Sequence, residues 1–279
     1  MRERRSAASE CFATVLLGDS ADMAAIGSGE ARLVLTSPPY FGPDAERVLS
    51  GPRAQQGDIE AIWREVESFT RALGGVFSEM ARVVGTVGVC CIETKDLACG
   101  EFRLPLVALH AELARCAGLW VRSSIQFRTR AIKPSHLPAF YGSPEVGNFR
   151  SLDASTLLIC SHPRLKRISR TPLAYSRTER LALIDPAWRV TAARGRRVHE
   201  HQSPPDLVRR VVGLFTLENE LVVDPFAGSG QTIRIAHEMG RCAVGYEIDP
   251  ARHAVAVAGL VSRSPKSRGV VQGRGSAGS

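Results

Sequence analysis

No metal-binding pattern runs through this chain. Its seven cysteines form no CxxC pair and no Cys/His ligand spacing. Cys90-Cys91 sits inside the apolar run Val87 to Ile92, which predicts buried thiols on a strand, not a disulfide or zinc site, and a reducing cytoplasm. No apolar stretch approaches the roughly 20 residues of a membrane span, so no membrane role is expected. Met1-Arg2-Glu3-Arg4-Arg5 leads into Ser6 and Ala7, not into an apolar core, so no secretory leader is expected either. There is no Gly-Lys-Ser/Thr end to a glycine loop, which argues against a nucleoside triphosphatase.

What is present is a chain of 279 residues with 44% hydrophobic content, enough for one good-sized core and a small inserted module. The net charge is +8 and the pI about 9.4. Much of the positive charge falls in two runs, His162-Pro163-Arg164-Leu165-Lys166-Arg167-Ile168-Ser169-Arg170 and Arg194-Gly195-Arg196-Arg197. Each run alone reads equally well as solvated surface. Together they favour phosphate contacts, with Arg128, Arg130 and Lys133 joining Arg164, Lys166, Arg167 and Arg170 as the candidate nucleic-acid-binding residues.

Short apolar runs alternate with helical patterns. Ala13 to Leu17 reads as a strand ending at Gly18-Asp19, and Arg32 to Thr36 as a second strand stopped by two prolines. Helical periodicity from Asp58 to Val84 is interrupted at Gly74-Gly75. A strand follows over Val87 to Ile92, a helix over Leu104 to Cys116, and an extended run over Leu119 to Phe127. Ala131 to Asp153 is rich in Pro, Gly and Ser without period, Ser155 to Cys160 is a lone apolar strand, and Leu165 to Arg180 is basic and irregular. Alternation then returns as a helix at Pro205 to Leu217, a strand at Glu220 to Val223, a helix at Gln231 to Met239, a strand at Ala243 to Tyr246 and a helix at Ala251 to Val261. The pattern predicts an α/β fold with a mostly parallel sheet and helices on both faces.

Two segments carry chemistry. Asp224-Pro225-Phe226-Ala227-Gly228-Ser229-Gly230 turns a buried strand tightly into a helix, with Glu247 at the end of the next strand. Glycines let the backbone approach a ligand, a helix start offers unpaired amides, and an acid at that point accepts hydrogen bonds from ribose hydroxyls. The turn holds Asp224 and no Lys, so it suits a cationic or zwitterionic ligand better than a pyrophosphate. The second segment, Ser37-Pro38-Pro39-Tyr40, leaves the sheet where α/β folds place ligands. Its prolines immobilise the Ser37 hydroxyl and the Pro38 carbonyl, and Tyr40 offers a flat face to a ring. Two fixed acceptors would draw an exocyclic amine toward tetrahedral geometry by positioning and electrostatics alone. No general base or metal is required; His136 and His162 read as loop residues, and no metal ligand is assigned.

Both segments, in this order, resemble the amino-methylating DNA methyltransferases in which the catalytic motif precedes the cofactor motif. Gly18-Asp19, Trp188, and His201-Gln202-Ser203-Pro204-Pro205-Asp206-Leu207 extend the likeness. The resemblance implies a Rossmann-like S-adenosylmethionine-dependent methyltransferase fold, a seven-stranded sheet with helices on both faces and an inserted irregular target-recognition region. It divides the chain into a basic tail at 1–10, a catalytic domain at 11–130 and 198–263, a recognition region at 131–197 and a disordered tail at 264–279. It implies that Ser37, Pro38, Pro39 and Tyr40 are catalytic. S-adenosylmethionine would be held by the glycine turn from Asp224 through Pro225, Phe226, Ala227, Gly228 and Ser229 to Gly230, with Thr232 behind it. Glu247, Ile248 and Asp249 would flank that turn from the next strand, and Asp19 and Thr36 from the first two. The substrate implied is double-stranded DNA, with the target base flipped out. A cognate restriction endonuclease is an open partner, and monomer and homodimer are both open. Serine at the head of the motif favours cytosine N4. Adenine N6, an RNA target and a catalytically idle nucleic-acid-binding relative stay open. Cytosine C5 chemistry is disfavoured, because no cysteine here follows a proline.

Overall fold

The computed structural model describes residues 11–39, 59–99, 102–128, 155–166, 178, 187–190 and 203–261. Both tails, Tyr40, Arg130, Lys133, His136, Arg167 and Arg170 lie outside the described residues, as does most of the interval read as target-recognising.

The main sheet is built from β1 (Ala13–Leu17), β2 (Ala31–Thr36), β3 (Val89–Thr94), β6 (Trp120–Arg128), β7 (Ser155–Ser161), β8 (Ala187–Arg189), β9 (Leu221–Asp224) and β10 (Cys242–Glu247), in the order β1-β10-β9-β2-β3-β7-β6-β8. The first five strands in that order run parallel, β7 is antiparallel to both β3 and β6, and β8 is parallel to β6. Central strands buried on both faces explain their unbroken apolar runs. The helices α1 (Ile59–Ala72), α2 (Gly74–Val84) and α3 (Leu106–Cys116) share one face, where Phe77, Met80 and Ala114 pack on Val34, Cys90 and Val223. On the other face α4 (Pro205–Phe215), α5 (Gln231–Glu238) and α6 (Pro250–Val261) press Leu207, Ile233 and Ala256 onto Leu35, Cys91 and Val222. Cys90, Cys91 and Cys160 are buried free thiols.

The expected architecture is present with differences that have local causes. Eight strands form the sheet where seven were expected, because Ala187–Arg189 adds to its edge. Three residues show no period, but Trp188 is buried there with the Arg210 guanidinium 4.8 Å above its ring. The strand at Ser155–Ser161 is not alone; it is the antiparallel link between β3 and β6. A small ladder of β4 (Leu97–Cys99) and β5 (Phe102–Leu104) takes up the start of the stretch expected as α3. Strand β3 begins two residues late because the Val87 and Gly88 amides still bond the Val84 carbonyl at the end of α2. The parallel strands all end on one edge, and both chemical segments leave the sheet there.

Candidate active site

The turn after β9 is held by its own amides. Phe226 N–H donates to Asp224 Oδ1 at 3.1 Å, Ala227 N–H to the Tyr246 carbonyl at 2.9 Å, and Gly230 N–H to the Ala227 carbonyl at 2.8 Å. Gly230, at φ 73°, is the left-handed residue from which α5 starts, and a Cβ there would meet the Ala256 Cβ at 3.1 Å. Glu247 Oε2 accepts from Gly228 N–H at 2.9 Å, and Oε1 accepts from Asp249 N–H at 3.0 Å. A carboxylate has about four acceptor sites, so Glu247 keeps capacity for a ligand hydroxyl. Gly18 N–H bonds the Glu247 carbonyl at 3.0 Å, bringing the turn with Asp19 beside this acid. Exposed Leu17 and Ile248 flank the same spot.

Two of the candidate cofactor residues have structural tasks. Asp249 Oδ1 accepts the Ala251 and Arg252 amides at 2.7 and 3.0 Å, capping α6, and these bonds hold its carboxyl below the usual range. Thr36 Oγ1 donates to Asp224 Oδ1 at 2.7 Å in a buried bond between the last residue of β2 and the first of the glycine turn. Burial pushes Asp224 up to about 6, against the pull of the bonds from Thr36, Thr232 and the Phe226 amide. Ser37 is half-buried, Pro38 buried and Pro39 exposed, immediately beyond that bracket.

The motifs alone missed Glu93. It ends the apolar run of β3 as a buried acid, 7% exposed, and accepts from Ser203 Oγ. Burial raises it to about 7; the Ser203 bond and Lys95 act against this, and the Asp224 charge adds to it. The signal was available: a Glu inside Val89-Cys90-Cys91-Ile92-Glu93-Thr94 has no ordinary reason to be in a central strand. The Ser203 carbonyl in turn accepts from Gln231 Nε2 in the first turn of α5.

Of the candidate nucleic-acid-binding residues, the three described ones, Arg128, Arg164 and Lys166, are not brought together. Arg128 is exposed at the end of β6, on the edge where β2 and β3 end. Arg164 and Lys166 follow β7, which runs the other way, and Lys166 N–H bonds the Thr86 carbonyl before β3. They lie on the opposite edge, about 20 Å away along a seven-residue strand. His162 is a loop residue whose Nδ1 accepts from the Arg164 amide.

A model of the DNA methylase family covering N6 and N4 enzymes matches residues 31–258, spanning the pocket strand, the glycine turn and the acid after it. The chain belongs to this family. The methylase is 27% identical over 270 residues to the type II methyltransferase M.MjaI of Methanocaldococcus jannaschii, covering 84% of this chain and 86% of that one. A shorter match to M.HindIII of Haemophilus influenzae is 41% identical over 59 residues, 21% of this chain and 19% of that protein. A Thermus thermophilus protein solved in complex with S-adenosyl-L-methionine shares the fold at a TM-score of 0.70 and 21% identity, covering 91% of this chain and 95% of its own. The cytosine-N4-specific PvuII DNA methyltransferase does so at 0.64 and 16%, covering 90% and 88%. Among the described residues of the methylase, no helix is long and apolar enough to cross a membrane, and no His/Cys/Asp/Glu group could hold a metal.

Proposed function

We propose that this methylase uses S-adenosylmethionine to methylate the exocyclic N4 amine of cytosine in duplex DNA. One observation carries the reading: the Thr36–Asp224 bond ties the residue before Ser37 to the first residue of the glycine turn, which supports taking the two segments as one site. The donor set fits a cationic cofactor. Asp224 and Glu247 bracket a turn that has no Lys, and the start of α5 beside it suits the cofactor's own carboxylate. When bound, S-adenosylmethionine supplies an electrophilic methyl group on a sulfonium.

Everything else is done by the chain. Glu247 receives ribose hydroxyls, and the Gly228 and Gly230 backbone admits the ligand closely. Tyr40 stacks on the flipped ring. The Ser37 hydroxyl and Pro38 carbonyl accept the two amine hydrogens, turning the nitrogen lone pair toward the methyl group. The amine nitrogen would take up positive charge on receiving the methyl group, the demethylated cofactor leaving as a neutral thioether, and would then give a proton to water. Glu93 and Asp224, buried at the ends of the two strands that flank β2, stabilise that charge electrostatically. Serine, where an acid would add a formal charge, favours the N4 amine.

Methyl transfer from isotopically labelled cofactor to mixed-sequence duplex DNA, followed by digestion to nucleosides and mass analysis, tests the reading. The expected product is N4-methylcytosine, abolished in Ser37→Ala. N6-methyladenine would overturn the base assignment, and product only on structured RNA would overturn the substrate.

A further inference from the structure

Thr36 pairs with Ile92 in the last rung of the β2–β3 ladder, and Ser37 and Glu93 are the residues that follow them on the two chains. Within β3, strand alternation places Glu93 with Cys91, on the face that α4 and α5 cover. Three neighbouring strand ends, β9, β2 and β3, thus bring Asp224, Thr36 and Glu93 to one stretch of the sheet edge, with Ser37 following Thr36. Lying over them is Ser203, two residues before α4. Its hydroxyl donates to Glu93, 110 residues away, and its carbonyl accepts from Gln231 in the first turn of α5. One residue therefore ties the acid beside the pocket to the helix that follows the cofactor turn.

We infer that Ser203 is a positioning residue that holds the Glu93 carboxyl beside Ser37 and couples its placement to the cofactor helix. This rests on the proposed methyl transfer. Holding the carboxyl as a charged acceptor matters because positive charge develops on the amine nitrogen, and a buried carboxyl without a donor reverts to its neutral form. The charged groups acting on Glu93 are Lys95 beyond its own strand and Asp224 on β9. From α4's approach the contact is the neutral Ser203 hydroxyl, and α5 contributes neutral Gln231 through the Ser203 carbonyl.

The test is a pH series of kcat and KM with duplex DNA for the full chain and for Ser203→Ala, Ser203→Thr, Glu93→Gln and the double variant Ser203→Ala/Glu93→Gln. Ser203→Ala is expected to lower kcat about tenfold near neutral pH, the scale of one bond to a charged group. It should also move the acid limb of kcat to higher pH while KM for S-adenosylmethionine stays within about twofold. Ser203→Thr restores both rate and limb. In the Glu93→Gln background, Ser203→Ala has little further effect on the limb, because the group that titrates is gone. An unmoved limb in Ser203→Ala, an equal shift in both backgrounds, or no rescue by threonine overturns the inference and leaves Ser203 a packing residue. A carbon-13 NMR titration of the Glu93 carboxyl reads the link without catalysis. Its midpoint rises in Ser203→Ala if the bond acts as stated, and an unmoved midpoint overturns it. Absence of any methylated product from the unaltered chain would instead strike the proposed function alone.

Discussion

Asp224 and Glu93 stand at strand ends on either side of β2, and each is a carboxyl the fold makes reluctant to ionise. Burial lifts Asp224 from an ordinary 3.8 to about 6, and Glu93 from 4.5 to about 7. The unfolded chain gives up these protons at the ordinary values, so between roughly pH 4 and 7 the folded state binds more protons than the unfolded one. Stability from these two groups is therefore fully present below pH 4 and is lost as pH rises through about 7, each pK unit being worth about 1.4 kcal/mol. Chemical denaturation of the cofactor-free protein across that window should give a profile that falls more steeply than those of Asp224→Asn and Glu93→Gln. Profiles of equal slope in all three would mean that neither carboxyl is held neutral by the fold. Cationic cofactor beside them reverses the preference, so the steepness should shrink when S-adenosylmethionine is added.

The union of β10 with α5 depends on Gly245. A Cβ there would stand 2.7 Å from the Ala227 Cβ and 2.9 Å from Ile233 Cγ1, well inside the roughly 3.5–4.0 Å of a carbon contact. Ala227 belongs to the glycine turn and Ile233 to α5, so the added methyl group pushes turn and helix off the sheet together. Gly245→Ala should cost about 1–3 kcal/mol in thermal unfolding. It should also shrink the rise in Tm that saturating S-adenosylmethionine produces; an unchanged rise would show that the turn is not seated on this glycine. Such a turn was legible in the sequence because its signals are local: an apolar run, glycines, a helix start and an acid at the next strand end all lie between Leu221 and Glu247. Glu93 and Ser203 were not, because their bond joins residues 110 apart, and no short window contains both. Strand β8 was hidden by being three residues long, and the break between α1 and α2 was legible because Gly74 marks it. Asp249, which the resemblance places at the cofactor, also caps α6 through Oδ1, a task its position just before Pro250-Ala251 makes legible.

At the scale of the whole molecule, the direction of one strand decides how the excess charge of +8 can meet DNA. A lone apolar run does not reveal which way it crosses a sheet, so Arg128 and the basic run after Ser161 read alike as one surface. Because β7 is antiparallel to β3 and β6, Arg128 emerges on the edge that carries Ser37, and Arg164 and Lys166 on the far edge. Arg122 sits at that far edge too, its guanidinium bonded to the His162 and Pro163 carbonyls at 2.9 Å, which ties it to the turn that carries Arg164. On the proposed function, a duplex delivering a flipped base to Ser37 would meet Arg128 before Arg164 or Lys166. Each phosphate contact contributes roughly one unit to the slope of log affinity against log salt. Arg128→Ala should therefore lower that slope by about one and weaken binding to any sequence alike, as measured by fluorescence anisotropy on duplex DNA over a salt series. Arg164→Ala and Lys166→Ala should leave the slope within error of the unaltered protein. Should the far-edge substitutions lower it as much as Arg128→Ala does, the duplex must wrap from the catalytic edge around β7, and the basic run would regain its place in the DNA interface.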